Sequence, residues 1–231
     1  MDPALDDIGR ERLIAWIEDS VAHGRNILAQ GYQGHVYRYP HPRHPLVIKV
    51  ASGRGPLRWL RAHMLRKEHA VYRRLAGFAG APCCYGLLDG RFLLLEHVAG
   101  EPLRRAAIPD RARYFALLFE YLNELHARGI AHSDLKRKDN LLVTADGRPC
   151  LIDFGTAITR RPGFAPINRF AYGIAERFDF NAWIKLKYNN RMEEISAADR
   201  HYYRRTWIER LARAFKRPYR RLKRRLFPRK L

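Results

Sequence analysis

Residues 132–140 read His-Ser-Asp-Leu-Lys-Arg-Lys-Asp-Asn, and residues 151–155 read Leu-Ile-Asp-Phe-Gly. Between the two stretches lies Asp146-Gly147, a dipeptide typical of tight hairpin turns, flanked here by short runs with strand character. The spacing predicts that the chain leaves the first stretch, forms a hairpin and returns to the second. Two carboxylates and one amide are therefore expected at the same hairpin.

This combination of motifs resembles the catalytic loop and the Asp-Phe-Gly segment of the protein-kinase-like fold. The resemblance implies that Asp134 orients an acceptor hydroxyl or takes its proton. It also implies that Asn140 and Asp153 bind Mg²⁺ that bridges the phosphates of ATP, and that Lys136 touches the transferring phosphoryl group. The residue types suit this chemistry, because phosphoryl transfer needs a positioned nucleophile and neutralised charge more than covalent help.

The same resemblance implies three nucleotide-binding features upstream, and each has a candidate in the sequence. Lys49 lies in the third predicted strand, and Glu68, the only acid between positions 19 and 89, lies in the following helix as its expected partner. Gly31 and Gly34 form a turn that can approach phosphate oxygens, although Ala29 stands where the family usually has its first glycine. Taken singly, these features also fit a plain hairpin turn, a solvated helix charge and a strand-edge lysine.

The sequence departs from the protein-kinase pattern in three places. The usual position of the metal-binding asparagine holds Asp139, and we assign the role to Asn140 because it directly precedes a predicted strand. No Ala-Pro-Glu motif follows the Asp-Phe-Gly segment, and only 76 residues follow Gly155. A folded-protein or peptide acceptor is therefore less expected than a small one.

Hydrophobic periodicity and turn residues predict a strand-rich first part and a helix-rich second part, and the resemblance implies that they form an α+β, bilobal protein-kinase-like fold. It comprises an N-terminal helix within 1–24, an N-lobe over 25–98 with five antiparallel strands and one main helix, and a reduced helical C-lobe over 99–203. Predicted strands cover 27–29, 36–39, 46–50, 84–88, 92–98, 141–143 and 150–152, and predicted helices cover 8–22, 57–75, 110–128, 178–190 and 197–227.

Compact kinases with these motifs look like the bacterial lipopolysaccharide kinases, which phosphorylate heptose or Kdo sugars at the cytoplasmic membrane face. The similarity covers about residues 25–190 and implies ATP and Mg²⁺ as cofactors and a sugar hydroxyl of the lipopolysaccharide inner core as acceptor. Two alternatives remain open. One is a small atypical serine/threonine kinase of the RIO or Bud32 type, and the other is a pseudokinase scaffold that binds nucleotide without turnover.

The basic C-terminal tail, residues 204–231, gives a separate indication of location. It carries thirteen Lys and Arg and one acid, and so contributes +12 to a formal net charge of +21. Apolar residues recur there at spacings of three or four, which predicts a basic amphipathic helix on an anionic membrane surface. The apolar stripe could instead pack on the C-lobe. Nucleic-acid contact is not expected, since no recognised module accompanies the arginines.

The remaining features predict a cytoplasmic protein that lies on the inner membrane face. The N-terminus lacks the layout of a secretory signal, and no apolar run approaches the ~20 residues that span a bilayer. The three cysteines, at 83, 84 and 150, are expected to be reduced and buried. His41 and His44 are expected to be exposed loop residues and not metal ligands.

Overall fold

The computed structural model describes residues 8–31 and 34–204. The N-terminal half of the described chain contains one antiparallel sheet and two helices. Its strands are Ile27–Gly31 (β1), Gly34–Tyr39 (β2), Leu46–Val50 (β3), Cys84–Leu88 (β4) and Phe92–Glu96 (β5). The five strands stand in the order β1-β2-β3-β5-β4. The expected five-stranded sheet is therefore confirmed.

Alternation along the central strand β3 gives the sheet two different faces. Leu46, Ile48 and Val50 are buried on one face, where helix α1 (Arg10–His23) covers them with Leu13 and Ile17. The intervening side chains of β3 point to the other face because successive residues of a strand alternate. Helix α1 therefore packs behind the sheet and leaves the second face for the rest of the molecule.

Helix α2 (Gly55–Arg74) packs on that second face and continues into the main core. Pro56 lies in the first turn of the helix, where the missing N–H costs nothing. Leu65 and Val71 of α2 are buried together with Leu93 and Leu95 of β5. This packing fixes α2 against the sheet and brings its middle turns toward β3.

The second half is mainly helical, with α3 (Arg111–Ala127) and α4 (Pro166–Lys187) as its long helices. Asp110 caps α3, since its Oδ1 accepts a hydrogen bond of 2.9 Å from the backbone of Arg113. Two small antiparallel sheets complete this half. Their strands are Gly100–Pro102 (β6), Ile130–Ala131 (β7), Leu141–Thr144 (β8), Pro149–Leu151 (β9) and Ile158–Thr159 (β10).

Some expectations need correction. Helix α4 begins at Pro166, twelve residues before the predicted helix over 178–190, because a proline also opens this helix. Of the predicted helix over 197–227, the described part holds only a 3₁₀ turn at Arg200–Tyr202. Everything from residue 205 onward lies outside the described residues, and so does the predicted amphipathic tail helix.

The cysteine and histidine expectations hold only in part. Cys150 is buried, but Cys83 is exposed and Cys84 is half-buried, so the three are not all buried. The rings of His41 and His44 are half-buried and stack 5.9 Å apart instead of standing in solvent. Within residues 8–31 and 34–204, no helix has the length and apolarity required to cross a membrane.

Candidate active site

A three-residue ion network links the sheet, α2 and the Asp-Phe-Gly segment. Lys49 Nζ lies 2.6 Å from Glu68 Oε1 and 2.8 Å from Asp153 Oδ1. The Glu68 side chain is fully buried and Lys49 is 13% exposed, whereas Asp153 is 43% exposed. The structure therefore brings together three of the predicted site residues, with the aspartate open to a ligand.

The positions of these side chains follow from the elements that carry them. Lys49 occupies an alternate position of β3 and so points away from the α1 face. Glu68 lies on the buried side of α2, where the helix faces the short 3₁₀ turn that begins at Phe154. Asp153 adopts left-handed backbone angles, with φ 64° and ψ 70°, which turn the chain sharply just before that turn.

Burial and charge pairing act in opposite directions on this network. Burial favours the neutral form of Lys49, but the carboxylates of Glu68 and Asp153 outweigh it and raise the pKa of the ammonium. Burial likewise opposes ionisation of Asp153, yet the adjacent Lys49 holds the pKa of that carboxyl below its usual range. For Glu68, burial is the stronger effect and raises its pKa. The network thus keeps a cation at Lys49 and an anion at Asp153.

Phe154 anchors the Asp-Phe-Gly segment in the core. The side chain is 1% exposed, and its ring meets the rings of Tyr72 and His132 at centroid distances of 5.2 and 4.8 Å. The Tyr72 hydroxyl is buried and has no hydrogen-bond partner among the described residues, and burial raises the pKa of Tyr72 well above 10. Phe154 therefore ties Asp153 to both α2 and the loop around residue 132.

The second pair of predicted residues meets on the catalytic loop. Asn140 Nδ2 donates to the backbone oxygen of Asp134 at 3.1 Å and to its Oδ2 at 3.2 Å. Asn140 is buried, whereas Asp139 points outward and forms a two-pronged ion pair with Arg104 at 2.9 and 2.6 Å. Between the two neighbours, only Asn140 faces the presumed base.

Backbone hydrogen bonds connect this loop to the Asp-Phe-Gly segment. The Ile152 amide donates to Asn140 O at 3.0 Å, and the His132 Nε2 atom lies 3.0 Å from Ile152 O. Since Ile152 directly precedes Asp153, the two clusters are held side by side. His132 is buried, and its ring supports this connection.

Asp179 was not predicted from the sequence, yet its side chain holds the backbone of the catalytic loop in place. Its carboxylate is fully buried and accepts 2.8 Å hydrogen bonds from the backbone amides of both His132 and Ser133. Its Oδ2 also lies 3.0 Å from His126 Nε2. Asp179 stands four residues from both Ala175 and Trp183, which are buried on α4, and a charge in an apolar helical stripe is the signal that could have revealed it.

The other predicted residues lie around these clusters. Lys136 is exposed, and its ammonium lies 4.7 Å from the centroid of the Phe178 ring. Gly31 and Gly34 pair at the end of the β1–β2 hairpin. Gly34 has φ +134°, and a Cβ there would meet Val50 O at 2.1 Å, so the close approach to β3 requires glycine.

Known kinases are similar in sequence to short stretches of this chain. The sequence matches no protein-family model. It is 35% identical to protein kinase C zeta type of Oryctolagus cuniculus over 101 residues, 39% of this chain and 17% of that protein. It is 41% identical to the serine/threonine-protein kinase grp of Drosophila melanogaster over 73 residues, 29% of this chain and 14% of that protein.

The described fold is also similar to a solved structure, the Rio2 kinase-ADP/Mg²⁺-phosphoaspartate complex from Chaetomium thermophilum. The TM-score is 0.55 at 16% sequence identity, over 81% of this chain and 64% of that one. The chain spans less than a fifth of the length of the two kinases above. Sheet order, helix placement and these similarities together show that the chain has a protein-kinase-like fold.

Proposed function

We propose that the chain is an ATP- and Mg²⁺-dependent phosphotransferase that transfers the γ-phosphoryl group to an alcohol. The observation that carries this proposal is the contact of Lys49 with both Glu68 and Asp153, beside a loop in which Asn140 binds Asp134. Such a site offers one cation for phosphate oxygens, oxygen ligands for a metal and a carboxylate for a nucleophile. The solved Rio2 kinase complex contains ADP and Mg²⁺ and supports the same cofactors.

The donor chemistry of the site fits magnesium. Asp153 and Asn140 offer a carboxylate and an amide oxygen, the hard ligands that Mg²⁺ prefers. Among the described residues no group of three or more His, Cys, Asp or Glu could hold a metal by itself. Two protein ligands are nevertheless sufficient, because Mg²⁺ usually keeps several waters and takes substrate phosphate oxygens. When bound, the ion would neutralise charge on those phosphates.

Each residue of the site would have its own role in phosphoryl transfer. Lys49 would bind the α- and β-phosphates, and Glu68 holds its ammonium in place from the buried side. Asp134, 31% exposed, would accept the hydrogen bond of the acceptor hydroxyl and take its proton as the new O–P bond forms. Asn140 Nδ2 donates to the Asp134 carboxylate and so fixes its orientation.

For the acceptor we favour a sugar hydroxyl of the lipopolysaccharide inner core, reached from the cytoplasmic membrane face. The support is the strong basic charge of the chain and of its tail, which suits an anionic membrane that carries the substrate. A serine or threonine side chain is the second candidate. It is supported by the similarity to serine/threonine kinases over short stretches and to Rio2 kinase in fold.

The assignment is tested with three variants of the full chain. Asp134→Ala should abolish phosphoryl transfer and leave ATP binding largely intact, because the residue serves the nucleophile. Asp153→Ala should remove Mg²⁺-dependent ATP consumption. Asp139→Ala, an aspartate of the same loop that pairs outward with Arg104, is the matched control and should keep its activity. Undiminished transfer by Asp134→Ala would disprove its role.

The acceptor is identified by following the label. Incubation with γ-labelled ATP and either a cell-envelope glycolipid fraction or total protein should place the label in lipid and not in polypeptide. Label in polypeptide alone favours the serine/threonine kinase. If no Mg²⁺-dependent consumption of ATP occurs with any acceptor while nucleotide still binds, the chain is a pseudokinase scaffold.

A further inference from the structure

Three large apolar side chains are exposed to solvent in the segment that follows the Asp-Phe-Gly motif in the chain. Phe164, Ile167 and Phe170 are 94%, 84% and 62% exposed, and the first two are the most exposed large hydrophobic side chains that the structure describes. They follow one another at spacings of three, at the start of α4 and in the loop before it. Exposed apolar clusters of this kind mark interaction surfaces.

Hydrogen bonds hold this segment in its shape. Asn168 Oδ1 accepts from the Arg161 amide at 2.7 Å, and Asn168 Nδ2 donates to Thr159 O at 3.0 Å. The Arg169 guanidinium donates to Gly163 O at 2.8 Å. The loop is therefore tied to the first turns of α4 while its apolar side chains point outward.

Three exposed arginines lie in the same segment as the apolar side chains. A cavity of about 540 Å³ is lined by Arg160, Arg161 and Arg169 together with Tyr172 and a single acid, Glu176. The Arg160 guanidinium lies 5.7 Å from the centroid of the Tyr172 ring. Arginine binds phosphate oxygens through two parallel N–H bonds, so this cavity suits a phosphate group. We call the arginines and the three apolar residues together the 160–170 surface.

The 160–170 surface follows a strand that pairs with the strand before the catalytic loop. Strand β10 runs antiparallel to β7, with Ile158 opposite Ala131 and Thr159 opposite Ile130, and the Arg160 amide donates to Gly129 O at 2.8 Å. Ser133 Oγ of the catalytic loop donates to Thr156 O at 2.8 Å. The surface therefore begins at the end of β7 that lies away from the catalytic loop, one two-residue strand pair from it.

We propose that the 160–170 surface docks the chain on an anionic phospholipid membrane. The arginines bind headgroup phosphates, and the apolar side chains insert at the boundary between headgroups and acyl chains. This inference rests on the proposed function, since it deepens the assignment of a membrane-borne acceptor. It adds a second contact, within the folded part of the chain, to the one proposed for the basic tail.

The shape of the surface favours a lipid over an acidic peptide. A peptide needs recessed pockets for its side chains, whereas Phe164 and Ile167 protrude almost completely. A protruding aromatic or aliphatic side chain gains contacts on all sides when a fluid medium such as a lipid layer closes around it. The recessed part of the surface is the arginine cavity, which matches the charged headgroup and not an apolar side chain.

Hydrogen exchange measured by mass spectrometry tests the proposal on the full chain. Vesicles of phosphatidylglycerol mixed with phosphatidylcholine should slow exchange in peptides from 160–173, and pure phosphatidylcholine vesicles should not. The peptide-level readout separates this surface from the tail, whose binding would appear in other peptides. Circular dichroism checks that each variant remains folded.

Two variants and one control locate the contact. The triple variant Phe164→Ser, Ile167→Ser, Phe170→Ser should lose the protection in 160–173 and bind vesicles at least roughly tenfold more weakly through this segment. Phe164→Ser alone touches no core residue and should give a partial loss. The matched control replaces Leu57, Trp59 and Leu60 of α2, which are 50%, 67% and 49% exposed, by serine and should behave like the wild type.

Four results would overturn the proposal. One is vesicle binding without protection of 160–173, and another is an equal loss in the α2 control. A third is protection by a polyglutamate peptide in place of vesicles, which would assign the surface to an acidic protein partner. The last is equal protection by inorganic phosphate, which would leave a soluble-anion site only. Because these measurements use neither nucleotide nor turnover, they can fail or succeed independently of the phosphotransferase assignment.

Discussion

Replacing Asp179 should separate support of the catalytic loop from the chemistry on it. Its buried carboxylate accepts hydrogen bonds from the amides of His132 and Ser133, both at 2.8 Å. Ser133 has φ +68°, a left-handed conformation that is uncommon for serine. Asp179 thus fixes a strained turn directly before Asp134, although it does not reach the candidate active site itself.

The magnitude follows from the groups that lose their partner. In Asp179→Ala the buried amide of His132 and the half-buried amide of Ser133 lose their acceptor, and at roughly 1–3 kcal/mol each the free energy of unfolding should fall by roughly 2–6 kcal/mol. For a chain of this size a loss of about 4 kcal/mol lowers the melting temperature by roughly 8–16 °C. Asp179→Asn keeps one acceptor oxygen, and it should lose about half as much.

The assay combines guanidinium unfolding with the rate of phosphoryl transfer. We expect Asp179→Asn to remain folded at 25 °C but to transfer phosphate at least roughly tenfold more slowly, since a displaced loop misplaces Asp134. ATP affinity should change little, because the Lys49 network lies on other elements. Glu120→Ala, an exposed acid on α3, is the matched control. If the free energy of unfolding of Asp179→Ala lies within about 1 kcal/mol of the wild-type value, the carboxylate does not stabilise the loop.

Three further changes test other parts of the site. Phe154→Ala should lower the free energy of unfolding by about 3–5 kcal/mol, as chemical denaturation would measure, because a fully buried ring is lost; a change below 1 kcal/mol would contradict its anchoring role. Gly34→Ala should cost about 1–3 kcal/mol and weaken ATP binding in calorimetry, since the added Cβ meets Val50 O; wild-type affinity would show that the turn does not approach the nucleotide. The lowered pKa of Asp153 means that its pairing with Lys49 stabilises the fold above the unfolded-state pKa of about 4 and is lost as the pH falls through the lower folded-state value. The stability difference between the wild type and Asp153→Asn should therefore shrink toward zero in acid, and a difference that does not depend on pH would refute the pairing.

The resemblance to kinase motifs was enough to predict that Asp134, Asn140 and Asp153 meet, because the three residues lie close together in the chain. Asp134 and Asn140 belong to one loop, and Asp153 follows the adjacent hairpin. The pairing of Lys49 with Glu68 is longer in range but had a sequence signal, since no other acid was available to the lysine in that region. By contrast, Asp179 lies 46 residues after Ser133, and the sequence around Asp179 does not indicate which amides its carboxylate binds.

The start of α4 shows the same limit and explains why the 160–170 surface could not be found from sequence. Periodicity indicates a helix by one apolar stripe, and the first turns of α4 carry Ile167 and Phe170 off the stripe that buries Tyr172 and Ala175. Those turns therefore looked like a loop, and the helix was predicted to begin at 178. A helix whose apolar residues face solvent needs another medium to cover them, so the failure of the periodic pattern and the proposed membrane contact have one physical cause.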